Sequence, residues 1–468
     1  MNSQKSGRSY SGSRRTFLKT VGIAIGPTAS SRAITADESS NIRRSQRDSW
    51  TGLRSGPERT GMVVDPGPTP YVTTDWKMDL DGSMYDIEGV VANGTIYLAV
   101  TTNNSPSESA GYVGAYDVET GSRHWKRTGL PGLKTPSVAD DTLYFATRVP
   151  DAANATDNGL YALHADSGKT KWTRTAYSEW ITPAVTDEHV YTSNDNGAYA
   201  LDSATGNTVW QTDTVGGVAN GVDGMVSYAD GTVFYGDGTA LHATDGSVKW
   251  RASAEKRTFG NHAVGDGRVY YIRTDYIVGE DDTVIIEARS TNDGSVTWTY
   301  DMDDNQWDGR FAIADGYVFL VAATAETSAV KALNAETGEI EWTTSTNAEL
   351  LSDPTVADGT VYIGGRYIPA DNPTAGRALI YALDATTGDR KWGYLLDSDD
   401  LETSPGEPPA AGTPVVADGR LYTATYPAGA TLRYRYVYYS NFFALDSCGK
   451  RPSDNHRLPQ YTQDQRTG

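Results

Sequence analysis

Hydrophobic residues in this chain come in short runs divided by polar turn residues, and no long apolar run occurs. The clearest stretch is Thr355-Val-Ala-Asp-Gly-Thr-Val-Tyr-Ile-Gly-Gly365, and its continuation is Tyr381-Ala-Leu-Asp-Ala-Thr-Thr-Gly-Asp-Arg-Lys-Trp392. It reads as an apolar strand, a two-residue turn and a tyrosine-bearing strand. After a loop come an Ala-Leu-Asp strand, a Thr-Gly turn and a strand carrying tryptophan. Short runs bounded by turn residues predict β-strands, and Asp-Gly or Asn-Gly between two of them predicts a hairpin that requires positive φ. Such pairs stand at Asn93-Gly94, Asp230-Gly231, Asp266-Gly267, Asp315-Gly316, Asp358-Gly359 and Asp418-Gly419.

The phrase repeats in register. Its second turn glycine falls at Gly121, Gly168, Gly206, Gly246, Gly294, Gly338, Gly388 and Gly449. Six positions earlier stands an alanine every time (Ala115, Ala162, Ala200, Ala240, Ala288, Ala332, Ala382, Ala444). Four positions later stand Trp125, Trp172, Trp210, Trp250, Trp298, Trp342 and Trp392, and only Ser453 breaks the column. Spacings of 38 to 50 residues between these tryptophans, with four strands per repeat, are those of a propeller blade. The alanine lets neighbouring sheets pack closely, and the tryptophan covers the junction while its N–H finds an acceptor. The last repeat supplies only three strands, whereas Trp76 sits in an outer-type strand with no repeat before it. The expected fold is therefore all-β: an eight-bladed β-propeller of four-stranded antiparallel blades, the last closed by an N-terminal strand around Trp76. Such closure removes the free edges that invite aggregation.

Composition changes the picture in two places. The first 36 residues hold Lys5, Arg8, Arg14, Arg15, Lys19 and Arg32 and no carboxylate. Ser13-Arg14-Arg15-Thr16-Phe17-Leu18-Lys19, a short apolar stretch and a small-residue exit resemble the signal of the twin-arginine translocase, too short to span a bilayer. Residues 1–36 are thus expected to be an export signal and disordered N-terminus, 45–450 the propeller and 451–468 a polar tail. The product is then extracellular or at the cell surface. The formal charge of −20 repels nucleic acid and anionic membranes, so neither is an expected partner, and it fits an organism of high salt. A single cysteine, Cys448, allows no internal disulfide.

Over roughly residues 50–450 these repeats resemble the PQQ-like (pyrroloquinoline quinone) propellers. The opening Trp50-Thr-Gly-Leu-Arg-Ser-Gly-Pro-Glu-Arg-Thr-Gly61 resembles that family too. The resemblance covers both quinoprotein dehydrogenases and non-catalytic scaffolds such as BamB, between which fold alone does not choose. A dehydrogenase would imply PQQ held over Ca²⁺, an aspartate base and a disulfide between adjacent cysteines. This chain has no adjacent cysteines and no Cys-x-x-Cys-His haem site, and Cys448 falls in the turn column of Thr120, Thr205, Thr337 and Thr387. The histidines His124, His164, His189, His242, His262 and His456 lack metal-ligand spacing.

Long connections fall between second and third strands or between blades, at 102–111, 149–159, 274–283, 367–377, 398–412 and 424–441. In an up-and-down blade both classes emerge on one face, where binding is expected. Just before innermost strands on that face stand Asp86, Glu88, Glu179, Asp223 and the cofactor candidates Trp180, Asn261, His262, Trp307, Asp308, Arg310 and Asp353. Their alternative reading is solvated loop residues of an acidic protein. No catalytic residue and no metal ligand is assigned. An Arg-Tyr insert at 432–439 offers a partner or glycan contact or else a longer strand packing on its own loop, and Asn103-Asn-Ser105 and Asn154-Ala-Thr156 are glycosylation sequons expected in exposed loops. The leading expectation is an exported, monomeric, non-catalytic scaffold that binds a protein or cell-surface glycan through its long-loop face. The alternative is a PQQ- and calcium-dependent dehydrogenase of alcohols or sugars.

Overall fold

The computed structural model describes residues 49–105, 108–148, 157–175, 179–216, 225–253, 257–275, 283–302, 309–323, 328–401, 408–427 and 439–459. These form eight sheets. Blade 1 comprises Val90–Ala92, Thr95–Ser105, Glu108–Asp117 and Arg123–Leu130, paired in chain order. Blades 2 to 7 repeat that order over 137–175, 184–213, 226–251, 257–301, 312–346 and 355–395. Blade 8 takes Val415–Ala417, Arg420–Tyr426 and Asn441–Cys448 from one end of the chain and Tyr71–Asp79 from the other. Tyr71–Asp79 lies antiparallel to Asn441–Cys448 with Trp76 opposite Ala444, the Trp–Ala pairing of every other blade, so the N-terminal strand closes the ring. The described residues contain no helix long and apolar enough to cross a membrane.

Turn chemistry follows the sequence. Asn93, Asp230, Asp266, Asp315, Asp358 and Asp418 have φ between 40° and 52°, and each is followed by a glycine at positive φ. Two such residues in succession make the turn whose twist matches the flanking strands.

The core lies between blades rather than within them. In seven junctions the tryptophan of one blade packs on the second-turn glycine of the next, as Trp298 does on Gly338 and Trp342 on Gly388. Its indole N–H donates to the backbone carbonyl three residues before that glycine. The acceptors are Val118, Ala165, Ser203, Ala243, Thr291, Ala335 and Ala385, at 2.8–3.1 Å. Burial of each indole contributes on the order of 3 kcal/mol, and the bond prevents an unpaired donor.

Two expectations are corrected, and a packing contact of the polar tail is added. The connection 102–111 is mostly strand, because Asn103 pairs with Ala110 and its amide donates to Glu108 at 2.9 Å, so this sequon is not in a loop. Cys448 is the last residue of a strand, in register with Tyr71, rather than a turn residue. The stretch 451–459 is docked: Leu458 is buried against Gly393, and its N–H donates to the Gly393 carbonyl. Asn154 and 432–438 lie outside the described residues.

Candidate functional site

The inner strands surround an axis, and a bare inner strand would leave its N–H groups unpaired there. The segment Trp50–Gly61 supplies the partners. Its carbonyls at Trp50, Thr51, Pro57, Glu58, Thr60 and Gly61 accept from Val91, Val138, Tyr228, Val264, Ile313 and Val356, on blades 1, 2, 4, 5, 6 and 7. Met62–Val63 then runs parallel to Val356–Ala357. Glycines and a proline keep the segment free of bulk where it turns between blades, and the left-handed Arg54, Ser55 and Arg59 let it curve.

Two buried arginines pin this plug. Arg59 donates to the carbonyls of Val226 at 3.0 Å and Pro183 at 2.7 Å, which links blades 3 and 4 to the axis. Arg54 donates to the carbonyls of Phe311 and Pro354 and faces Glu88 at 3.8 Å. Glu88 accepts from the Trp50 indole at 2.9 Å and from the Arg54 N–H at 2.8 Å. Burial pushes the Glu88 carboxyl up in spite of Arg54 and Arg310. Removal of one partner from a buried pair of this kind costs about 3–5 kcal/mol.

Around the mouth, Arg310 ties two of the sequence candidates together. Its guanidinium lies 2.9 Å from Asp353 and 3.4 Å from Asp86, and its backbone N–H donates to Asp353 at 2.7 Å. Burial would raise the Asp353 carboxyl, but Arg310 and Arg54 hold it below the ordinary range. Lys134 meets Glu179 at 2.8 Å, and Arg366 meets Glu349 at 2.6 Å. Leu53, Asp86, Lys134, Thr135, Arg148, Thr182, Met225 and Arg310 enclose a cavity of about 20 Å³, room for one water.

The remaining candidates are placed differently. The Asn261 amide reaches the Gly309 carbonyl at 3.4 Å. His262 is buried against Tyr271, with Nε2 3.2 Å from the Phe234 carbonyl, and burial lowers its pKa to about 4. Trp180 is buried in the cluster between blades 2 and 3, its ring 5.2 Å from Tyr199. Trp307, Asp308 and Asp223 lie outside the described residues. Arg54, Arg59 and Lys134 were missed, although two arginines in a glycine-rich segment ahead of the first blade were a visible signal.

Ca²⁺ takes six to eight oxygens at about 2.3–2.6 Å. Each mouth carboxylate named above faces a guanidinium or ammonium group instead. Among the described residues no group of three His, Cys, Asp or Glu is placed to hold a metal ion. A planar quinone needs far more space than this cavity provides. The described residues do not fit a quinone–Ca²⁺ pair.

Comparison with known proteins agrees with the architecture. The repeat family described as outer membrane protein assembly factor BamB matches at residues 84–174, 109–223, 194–304 and 280–432. BamB from Moraxella catarrhalis is similar at 17% identity and TM-score 0.54, over 82% of this chain and 100% of that one. A europium-containing methanol dehydrogenase is similar at 12% identity and TM-score 0.59, over 87% of this chain and 100% of that one. Both likenesses establish the fold alone. The serine/threonine-protein kinase AfsK of Streptomyces griseus is 28% identical over 155 residues, 32% of this chain but only 18% of the kinase. The family matches overlap into one stretch covering most of the ring, and the chain belongs to that PQQ-repeat family described by BamB.

Proposed function

We propose that the protein is an exported, non-catalytic scaffold that binds a partner protein through the face built from its interblade and second-to-third-strand connections. One observation carries the reading: the axis is filled by Trp50–Gly61, and among the described residues the mouth carboxylates Glu88, Asp86, Asp353 and Glu179 face Arg54, Arg310 and Lys134. A centre filled in this way leaves the peripheral loops as the binding surface. The BamB-type family and the export-type N-terminus support the same reading, because a folded propeller delivered outside the cytoplasm presents that face to neighbours.

A photo-crosslinking residue placed at Asp371, in the connection 367–377, tests this in the native host. The control position is Asp358, in a two-residue turn of the opposite face. A discrete covalent adduct from Asp371 but not from Asp358 is expected. Adducts from Asp358 alone overturn the choice of face. Substrate-dependent dye reduction by protein supplied with PQQ and Ca²⁺ overturns the non-catalytic reading.

A further inference from the structure

The ring has one irregular junction, between blades 7 and 8, and it leaves a cavity. Seven blade tryptophans donate to the carbonyl of the next blade's second turn; Trp392 is the eighth. Blade 8 lacks that turn, because Asn441–Cys448 ends where the chain leaves the sheet and Tyr71–Asp79 enters from the other terminus. A side chain at Gly449 would meet nothing, whereas its seven counterparts press on a tryptophan ring. Trp392 is 6% exposed, and among the described residues its N–H has no acceptor. It lines a cavity of about 140 Å³ with Tyr71, Arg390, Tyr394, Arg451 and Arg457.

We propose that this cavity binds a small organic anion: a carboxylate on a flat apolar body. Among the described residues its lining contains Arg390, Lys391, Arg451 and Arg457 and no carboxylate, in a chain where Asp and Glu outnumber Lys and Arg 60 to 40. The cations keep donors to spare. Arg390 spends one N–H on the Pro459 carbonyl at 3.1 Å, and Arg457 contacts Asp454 at 2.9 Å, while each guanidinium carries five N–H groups. Lys391 is held by the Gly359 carbonyl, Thr360 and Asp384, so the anion falls to the arginines, whose planar fork matches a carboxylate. The half-buried Tyr71 and Pro452 border the cavity with apolar surface for a flat body, and the Trp392 N–H offers one further donor. The site lies between outer strands, apart from the plugged axis, and does not depend on the scaffold reading.

The test uses the whole exported chain, with benzoate, benzamide and inorganic phosphate as probes at constant ionic strength. The readout is the ¹H–¹⁵N signal of the Trp392 indole, assigned by its loss in Trp392→Phe. Benzoate is expected to shift that signal saturably, with a midpoint in the millimolar range, while benzamide and phosphate leave it in place. Arg451→Gln combined with Arg457→Gln is expected to weaken benzoate about tenfold and leave the other indole signals unmoved. Absence of a benzoate shift overturns the site. An equal response to benzamide overturns the role of charge, an equal response to phosphate overturns the flat body, and undiminished binding by the double variant overturns the arginines.

Discussion

His262 shows how far one residue's environment departs from its appearance in sequence. At a channel-mouth position it reads as a ligand candidate; in the fold its ring is 2% exposed, held by backbone carbonyls and Tyr271, with Arg59 adding repulsion toward a second positive charge. Its folded pKa is about 4, below the ordinary 6.5. Between those values the unfolded chain binds more protons, so stability falls as pH falls through that window, by up to about 3 kcal/mol. Glu58 and Glu88, whose carboxyls burial pushes up, act with the opposite sign, so the comparison must be differential. In urea unfolding at pH 7.5 and pH 4, His262→Gln is expected to lose less stability on acidification than the parent. Equal losses would mean that His262 protonates freely in the fold. The same burial explains why Arg54 and Arg59 escaped the sequence: their role is set by carbonyls of distant blades, such as Pro354 and Pro183, which no local pattern announces.

Hairpins were the most legible elements, because glycine columns carry their own conformational reason. Two of these glycines separate two effects. Gly359 has φ +66°, and a Cβ there would meet nothing within 4 Å. Gly338 has φ +77°, and its Cβ would stand 2.6 Å from Cε3 of Trp298. Alanine at Gly359 therefore costs only the left-handed strain, about 1–2 kcal/mol. Alanine at Gly338 adds displacement of the Trp298 ring from its seat and its 3.0 Å bond to Ala335, so its cost in chemical denaturation is expected to be at least about 2 kcal/mol greater. Equal costs would show that the tryptophan re-seats freely. Where local preference was read alone, at Asn103-Asn-Ser105, it gave a loop. Pairing with 108–110 overrode it and extended the strands.

Closure of the whole ring depends on two junctions of different strength. Within blade 8, Tyr71–Asp79 is registered with Asn441–Cys448 at eight positions, against six between the third and fourth strands of blade 6. The terminal strand, legible from Trp76, is therefore not the weak link. The weaker contact is between blades 7 and 8, where the Trp392 bond is missing, and residues 451–459 compensate there. This was not legible, because a proline-flanked polar stretch gives no periodicity and Leu458 stands alone in it. Leu458 is 1% exposed against Gly393, Arg377 donates to the Asn455 carbonyl, and His456 stacks on Tyr394 at 5.4 Å. Leu458→Ala is accordingly expected to cost about 2–5 kcal/mol, as a core truncation does rather than a tail substitution. Hydrogen exchange locates the effect: amides of Arg390–Leu395 should lose protection while those of Thr208–Asp213, in the regular blade 3, keep theirs. A cost below about 0.5 kcal/mol, or protection lost evenly around the ring, would mean that the segment merely rests on a junction that is complete without it.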